Sequence, residues 1–231
     1  MASSAARVLR AARLVLPAEA GGVTELRVWR MANERDAVEV PASMHGLFYS
    51  SDAYVVRFTY TWRGRSRAAL YEWHGRRAGV AAREAAARRV IEMDEALKGI
   101  ASRTRLAQNV EPEHFLSLFD GRMLVREGGA PDGAVADPRD VDSVALFHVH
   151  GSEDACAVRA VQVAAAASSL NSADCFVLQR PGGVHVWHGS GSSAEEQATA
   201  MAVGQAISSQ LAVRFIGTKL RICSMMFRPA G

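Results

Sequence analysis

A chain of 231 residues is long enough for one large domain or two of about 100 residues each, with sizeable cores either way. It is 49% hydrophobic and 22% charged, an ordinary globular composition, and its net charge of +3 rests on scattered arginines that form no basic block for nucleic acid. Three cysteines (Cys156, Cys175, Cys223) without CxxC spacing argue against a disulfide scaffold and suit a reducing compartment, and no apolar run approaches the roughly 20 residues that span a bilayer.

The first 21 residues stand apart in composition, with Arg7, Arg10 and Arg13 ahead of the first acid, Glu19. That pattern is shared with organelle transit peptides, but a loose Ala/Arg-rich tail is the simpler account, and the segment plays no part in the fold argument. Then come LRVWRM (26–31) and SSDAYVVRF (50–58), in which Asp52 directly precedes a small residue, an aromatic and a β-branched run, as at the start of a buried strand. TYTWRGRSRA (59–68) reads as a long polar hairpin loop, and ALYEWHG (69–75) as the returning strand. Residues 81–97 are nearly all good helix formers, with Gly99 as a stop. EPEHFLSLF (111–119) predicts a second, short helix, with Pro112 in its first turn and Phe115, Leu116 and Phe119 in one apolar stripe.

GGAPDGAVADPRD (128–140) has the Gly, Pro and Asp density of a linker. In VALFHVHG (144–151), alternation sets Phe147 and Val149 on one face and His148 and His150 on the other. A His-x-His pair can hold a metal, but no nearby acid or thiol in sequence completes a shell, so a solvated face is the simpler reading. NSADCFVLQ (171–179) and HVWHG (185–189) then repeat the earlier blocks, with Asp174 in the place of Asp52. The interval from Asp to Trp is 21 residues in the first copy and 13 in the second. A helix opens after each Trp-His-Gly. The second, SSAEEQATAMAVGQAI, has Ser192 or Ser193 as its cap and Glu195 and Glu196 in the first turn, where the helix dipole favours acids. Order and spacing thus describe a tandem pair of strand–turn–strand–helix units: 22–129 and 141–210, joined by 130–140, with a divergent tail at 211–231. No Ser/His/Asp order, nucleophile elbow, phosphate loop or CxxC pair appears, so no enzyme chemistry is expected.

The blocks LRVWRM, GLFYSSDAYVV, ALYEWHG and QNVEPEHFLSLFDGRMLVREGG, then LFHVHG and SSLNSADCFVLQ, resemble the gelsolin/villin family over about residues 26–207. They are most similar to the fourth and fifth domains of its six-domain members. The resemblance implies an α+β fold of two gelsolin-like domains. Each would be a mixed five- or six-stranded sheet between a long helix parallel to the strands and a short helix across them. The second copy is expected to be incomplete, because no EP-type turn and short helix follow Ile207, although LAVRFIGTKLRIC still offers strands by alternation. The resemblance also implies actin as partner, with capping, severing or bundling of filaments under calcium control in the cytoplasm and cytoskeleton. Other gelsolin-like domains would be further partners within a longer protein.

The same resemblance assigns site residues. A calcium ion within the second copy would take the Asp174 side chain, the Ala173 carbonyl and Glu196. The first copy offers Asp52, the Ser51 carbonyl and the Ala130 carbonyl, but Ala82 stands where the helix glutamate belongs. Glu84 lies about 200° further round the helix. That site is expected to be weak or absent. A second calcium position, shared with actin, would use Asp94 and the carbonyls of Gly99 and Ala101. The long helix would contact actin through Arg88, Arg89 and Asp94. Arg88 occupies the place of an apolar anchor, and burying an unpaired guanidinium costs several kcal/mol. This departure leaves open an interaction or regulatory fragment that has lost tight actin binding.

Overall fold

The computed structural model describes residues 20–31, 37–119, 122–130, 143–151, 158–211 and 214–217. The chain forms two units, one from Met1–Asp120 and Arg126–Ala136, the other from Gly121–Val125 and Asp137–Gly231. Most of the linker expected at 130–140, the N-terminal arginines and the tail beyond Gly217 lie outside the described residues.

The first unit runs β1 (Ala20–Met31), β2 (Ala37–Val40), β3 (Leu47–Tyr49), β4 (Ala53–Trp62), β5 (Arg65–His74), α1 (Val80–Ala96), β6 (Ser102–Ala107) and α2 (Glu113–Ser117). Its five-stranded sheet has the order β2-β1-β4-β5-β6, antiparallel except for the β5–β6 pair. Alternation along β4 divides the core in two. Ala53 and Val55 join Trp29, Met31 and Leu70 against Ala85, Ala86, Val90 and Met93 of α1. The two alanines on the helix face let α1 lie close to the sheet. Tyr54 and Trp73, on the opposite face, meet Phe48, which in turn touches Phe115 and Phe119. The expected apolar stripe is therefore real and buried, with Pro112 at the cap of α2 and not inside its first turn. Trp73 Nε1 donates to Glu111 Oε1 at 2.9 Å, which satisfies the indole in an otherwise aromatic layer.

The long hairpin loop expected at 59–68 is not a loop. β4 and β5 pair as far as Trp62 and Arg65, leaving a two-residue turn with Arg63 and Gly64 both at positive φ (49° and 70°). The polar sequence disguised a strand pair whose outer end is held by arginine stacking on an aromatic. The guanidiniums of Arg63 and Arg67 lie 4.9 and 5.5 Å from the Trp62 ring centroid.

The second unit contains β7 (Leu124–Arg126, through Leu124 and Val125), β8 (Ala145–Gly151), β9 (Val158–Val163), β10 (Cys175–Arg180), β11 (Gly183–His188), α3 (Ala194–Leu211) and β12 (Phe215–Gly217). Its strands follow the order β12-β11-β10-β8-β9-β7, with parallel pairs at β11–β12 and β7–β9. The two architectures are α+β with mixed sheets, as the sequence predicts. β12 supplies one strand from the stretch after Ile207, and α3 runs on to Leu211 before it. β10 and β11 are also joined by two residues, so the spacing difference between copies comes from strand length: ten residues in β4 against six in β10.

The repeated Trp-His-Gly has a direct cause. Tyr54 faces Trp73 and Ala53 faces His74, as Phe176 faces Trp187 and Cys175 faces His188. The glycine that follows bonds back to the aspartate carbonyl, Gly75 N to Asp52 O and Gly189 N to Asp174 O, each at 3.0 Å. A Cβ on Gly75 would lie 2.3 Å from the Ser50 carbonyl oxygen, and one on Gly189 would lie 2.5 Å from those of Ser172 and Asp174. Only glycine lets the chain leave the strand there.

Candidate functional site

Both expected intradomain sites pair an aspartate just before a strand with a position in the first turn of a long helix. In the second unit, Asn171 organises the loop: its Oδ1 accepts from Ala173 N and Asp174 N, and its Nδ2 donates to Asp174 Oδ2 at 2.8 Å. Gly191 N bonds the Ser172 carbonyl at 2.8 Å, tying the approach to α3 onto the same loop. Glu196 then enters a reciprocal cap. Its Oε2 accepts from Ser193 N at 3.0 Å, while Ser193 Oγ accepts from Glu196 N at 3.1 Å. Ser193 is thus the cap residue, and Glu196 has a structural role that the sequence reading did not assign. The Cys175 thiol is buried directly after Asp174. Burial pushes it up, bonds from Ser192 and Gly189 pull it partly back, and the Glu196 and Asp174 charges add to the rise.

His148 was expected on a solvated face, and there the structure differs. Its ring stacks on Phe176 at 4.8 Å, and Nε2 lies 2.8 Å from Asp174 Oδ2. Sequence distance hid the partner, which comes from the residue just before β10, the strand paired with β8. The side chain of His150 lies outside the described residues.

In the first unit, the Asp52 side chain is 13% exposed, and its Oδ2 accepts from Ala130 N at 3.0 Å. The Arg30 guanidinium reaches the same place, with Nη1 at 3.6 Å from Asp52 Oδ2 and 3.2 Å from the Ala130 carbonyl oxygen. Burial raises the Asp52 carboxyl above its ordinary range, and the Ala130 N–H, Arg30 and the Tyr54 hydroxyl offset this only in part. Ser51 N bonds the Gly128 carbonyl at 2.8 Å, closing the loop beside it. Ala82 packs against the helix-side core and Glu84 is exposed, so no second carboxylate from the helix reaches Asp52. Arg30 and His148 hold equivalent positions. Arg30 faces Tyr54 across the sheet and His148 faces Phe176, each opposite the residue two after the aspartate. Comparison of LRVWRM with LFHVHG would have found this basic pair once the strands were aligned in register.

Fit to a hard cation therefore differs between the units. The second carries Asp174 just before β10 and Glu196 in the first turn of α3, and acids with main-chain oxygens are the donor types calcium takes. The first presents one carboxylate with a guanidinium already on it, which does not fit a divalent ion. Among the described residues, no group of three or more His, Cys, Asp or Glu side chains is placed to hold a metal. Any ion in the second unit must take part of its shell from main-chain oxygens.

The end of α1 gathers Asp94, Gly99 and Ala101. Lys98 and Gly99 are both left-handed (φ 59° and 69°), Lys98 N bonds Glu95 O, and Gly99 N bonds Asp94 O. The first left-handed residue is thus Lys98 and not the predicted stop, Gly99. Asp94 Oδ1 accepts from Ala101 N at 3.2 Å and Oδ2 lies 3.4 Å from Arg103 Nε. Along α1, Arg88 is exposed, Arg89 pairs with Glu92 at 3.3 Å, and Ile91 is 46% exposed one turn from Arg88. Ile91 was missed because the helix was read through a single matched position and not through its exposed face, on which i and i+3 are neighbours.

A family model, "Gelsolin repeat", matches residues 157–223. The chain is 37% identical to advillin of Mus musculus over 179 residues, covering 78% of this chain and 21% of advillin. It is 38% identical to cytoplasmic gelsolin of Homarus americanus over 173 residues, 73% of this chain and 23% of that protein. The chain thus spans about a fifth of the length of these relatives. Among solved structures, a chain of the crystal structure of the Thorarchaeota 2DGel3/rabbit actin complex matches 84% of this chain and 93% of its own length, with TM-score 0.38 and 21% identity.

Proposed function

Because the chain belongs to the gelsolin/villin family, we propose that it is a calcium-regulated actin-binding protein that docks through α1 and takes its regulatory ion in the second unit. The observation that carries the docking part is the exposed apolar surface on α1. Val80 is 71% exposed and Ile91 46%, and eleven positions apart they fall on one side of the helix, with Arg88 beside them. Exposed apolar side chains of this kind, set among Arg83, Glu84 and Arg88, suit a partner surface that accepts a helix face. Asp94, beyond its far end, is a candidate for an ion shared with the partner, once Arg103 yields its place.

In the second unit, Asp174 and the Ala173 carbonyl would hold calcium from the strand side and Glu196 from the helix side. The ion would neutralise two neighbouring carboxylates there. The residues around them set the conditions. Asn171 fixes the loop, His148 competes for Asp174 Oδ2, and the Ser193–Glu196 cap fixes the glutamate.

Arg88 favours a second reading: an interaction or regulatory fragment of the family without tight actin binding. A guanidinium on the docking face weakens apolar contact unless its head stays in water. Cosedimentation with filamentous actin, in calcium and in chelator, separates the two. Calcium-dependent pelleting is the expected result, and no pelleting in either condition would favour the fragment.

A further inference from the structure

We infer that Arg30 is the resident cation of the first unit, so that the Asp52 strand start is held closed by this chain's own guanidinium and does not take calcium. The inference rests on the proposed calcium reading of the equivalent loop in the second unit, and on three observations. First, Nη1 of Arg30 contacts both groups expected to face an ion there, the Asp52 carboxylate (3.6 Å) and the Ala130 carbonyl (3.2 Å). Second, the Arg30 side chain is 5% exposed, so the guanidinium lies within the unit and not at a mobile surface. Third, the charges balance only without a divalent ion. One carboxylate and one guanidinium neutralise each other, whereas adding calcium would set three positive charges against one negative. The second unit has a glutamate, Glu196, at the helix position where the first has Ala82. Its basic residue at the same register position, His148, also reaches its aspartate, with Nε2 2.8 Å from Asp174 Oδ2, but an imidazole is not the permanent charge that a guanidinium is.

Ala82 follows from this arrangement. A glutamate from the first turn of α1 would complete a calcium shell, and the same acid is superfluous where the cation is built in. Arg30 thus ties β1 to the start of β4 and to the segment at Ala130 irrespective of calcium. Only the second unit would respond to the ion.

The test uses the full chain, calcium as the probe, equilibrium binding stoichiometry, and thermal denaturation in calcium and in chelator. Asp52→Asn should bind as many calcium ions as the parent, and loss of an ion would overturn the inference. Ala82→Glu with Arg30 retained should also bind no additional ion. Arg30→Met combined with Ala82→Glu should bind one more and gain a calcium-dependent rise in melting temperature. An extra ion in Ala82→Glu alone, or none in the folded double variant, would overturn the proposal. Arg30→Met alone should melt lower than the parent by the same amount in calcium and in chelator, and an unchanged melting temperature would count against it. If Arg30→Met fails to fold, Arg30→Met with Asp52→Asn removes both charges. Recovery of a folded chain with parental calcium stoichiometry would support the inference, and continued failure would overturn it. None of these readouts involves actin, so failure here is distinguishable from failure of the docking proposal.

Discussion

Glu196 has two roles that a single isosteric change can separate. As a cap, it needs only an acceptor oxygen for the Ser193 N–H, now 3.0 Å away, and a backbone N–H to give to Ser193 Oγ at 3.1 Å. Glutamine supplies both, because the reciprocal cap accepts Glu or Gln at this position. As a calcium ligand, Glu196 must bring negative charge, which glutamine lacks. Glu196→Gln should therefore keep helix stability, losing only the dipole contribution of an acid in the first turn, about 0.3–1 kcal/mol. Glu196→Ala breaks the side-chain half of the cap as well and should cost roughly 0.5–2 kcal/mol. Urea denaturation in chelator ranks the three proteins as parent, Gln, Ala. Calorimetric titration should show the tighter calcium event weakened on the order of tenfold or more in both variants, since affinity follows the charge of the ligand set. If Glu196→Gln titrates calcium like the parent, Glu196 is a cap alone and the second-unit site as assigned is wrong. If Glu196→Gln is as unstable as Glu196→Ala, the reciprocal cap contributes little and the local geometry has been misread.

Arg88→Ile should raise actin affinity about tenfold or more by restoring an apolar anchor beside Ile91, with little change in Arg122→Ala; no gain in cosedimentation would remove α1 as the docking face. Phe115→Ala should destabilise the first unit by about 3–5 kcal/mol, read from its denaturation midpoint, because the ring is fully buried with edge contacts to Tyr71 and Phe119 at 5.3 and 5.2 Å. Glu72 predicts an acid-sensitive first unit: burial works to raise its carboxyl, but His74 at 2.7 Å and Arg105 at 3.1 Å outweigh it and hold it below the ordinary range. That contribution is fully present above the unfolded value, about pH 4.3, and is lost as pH falls through the lower folded value, so denaturation midpoints of Glu72→Gln should decline less steeply in that window.

Repetition made the fold legible in the amino-acid sequence. Aspartate before a buried strand, Trp-His-Gly at the end of its partner and a helix afterwards are local requirements of backbone approach and alternation. They appear wherever the unit appears, whatever lies around it. The stripe of Phe115, Leu116 and Phe119 was legible for the same reason, since helical spacing alone puts those side chains on one face. The polar stretch around Trp62 was misread because its strand pairing draws on arginine–aromatic stacking between neighbours, which hydrophobic alternation does not register.

The partners of the site acids were decided only by tertiary structure. Arg30 is 22 residues from Asp52 and His148 is 26 from Asp174, and each reaches its acid only because antiparallel pairing places it opposite the residue two beyond. Ala130 meets Asp52 across 78 positions of chain. Ligand positions can be counted along a strand. Whether a counted carboxylate faces a guanidinium, as Asp52 does, or an imidazole, as Asp174 does, depends on sheet register, and register is a property of the folded unit.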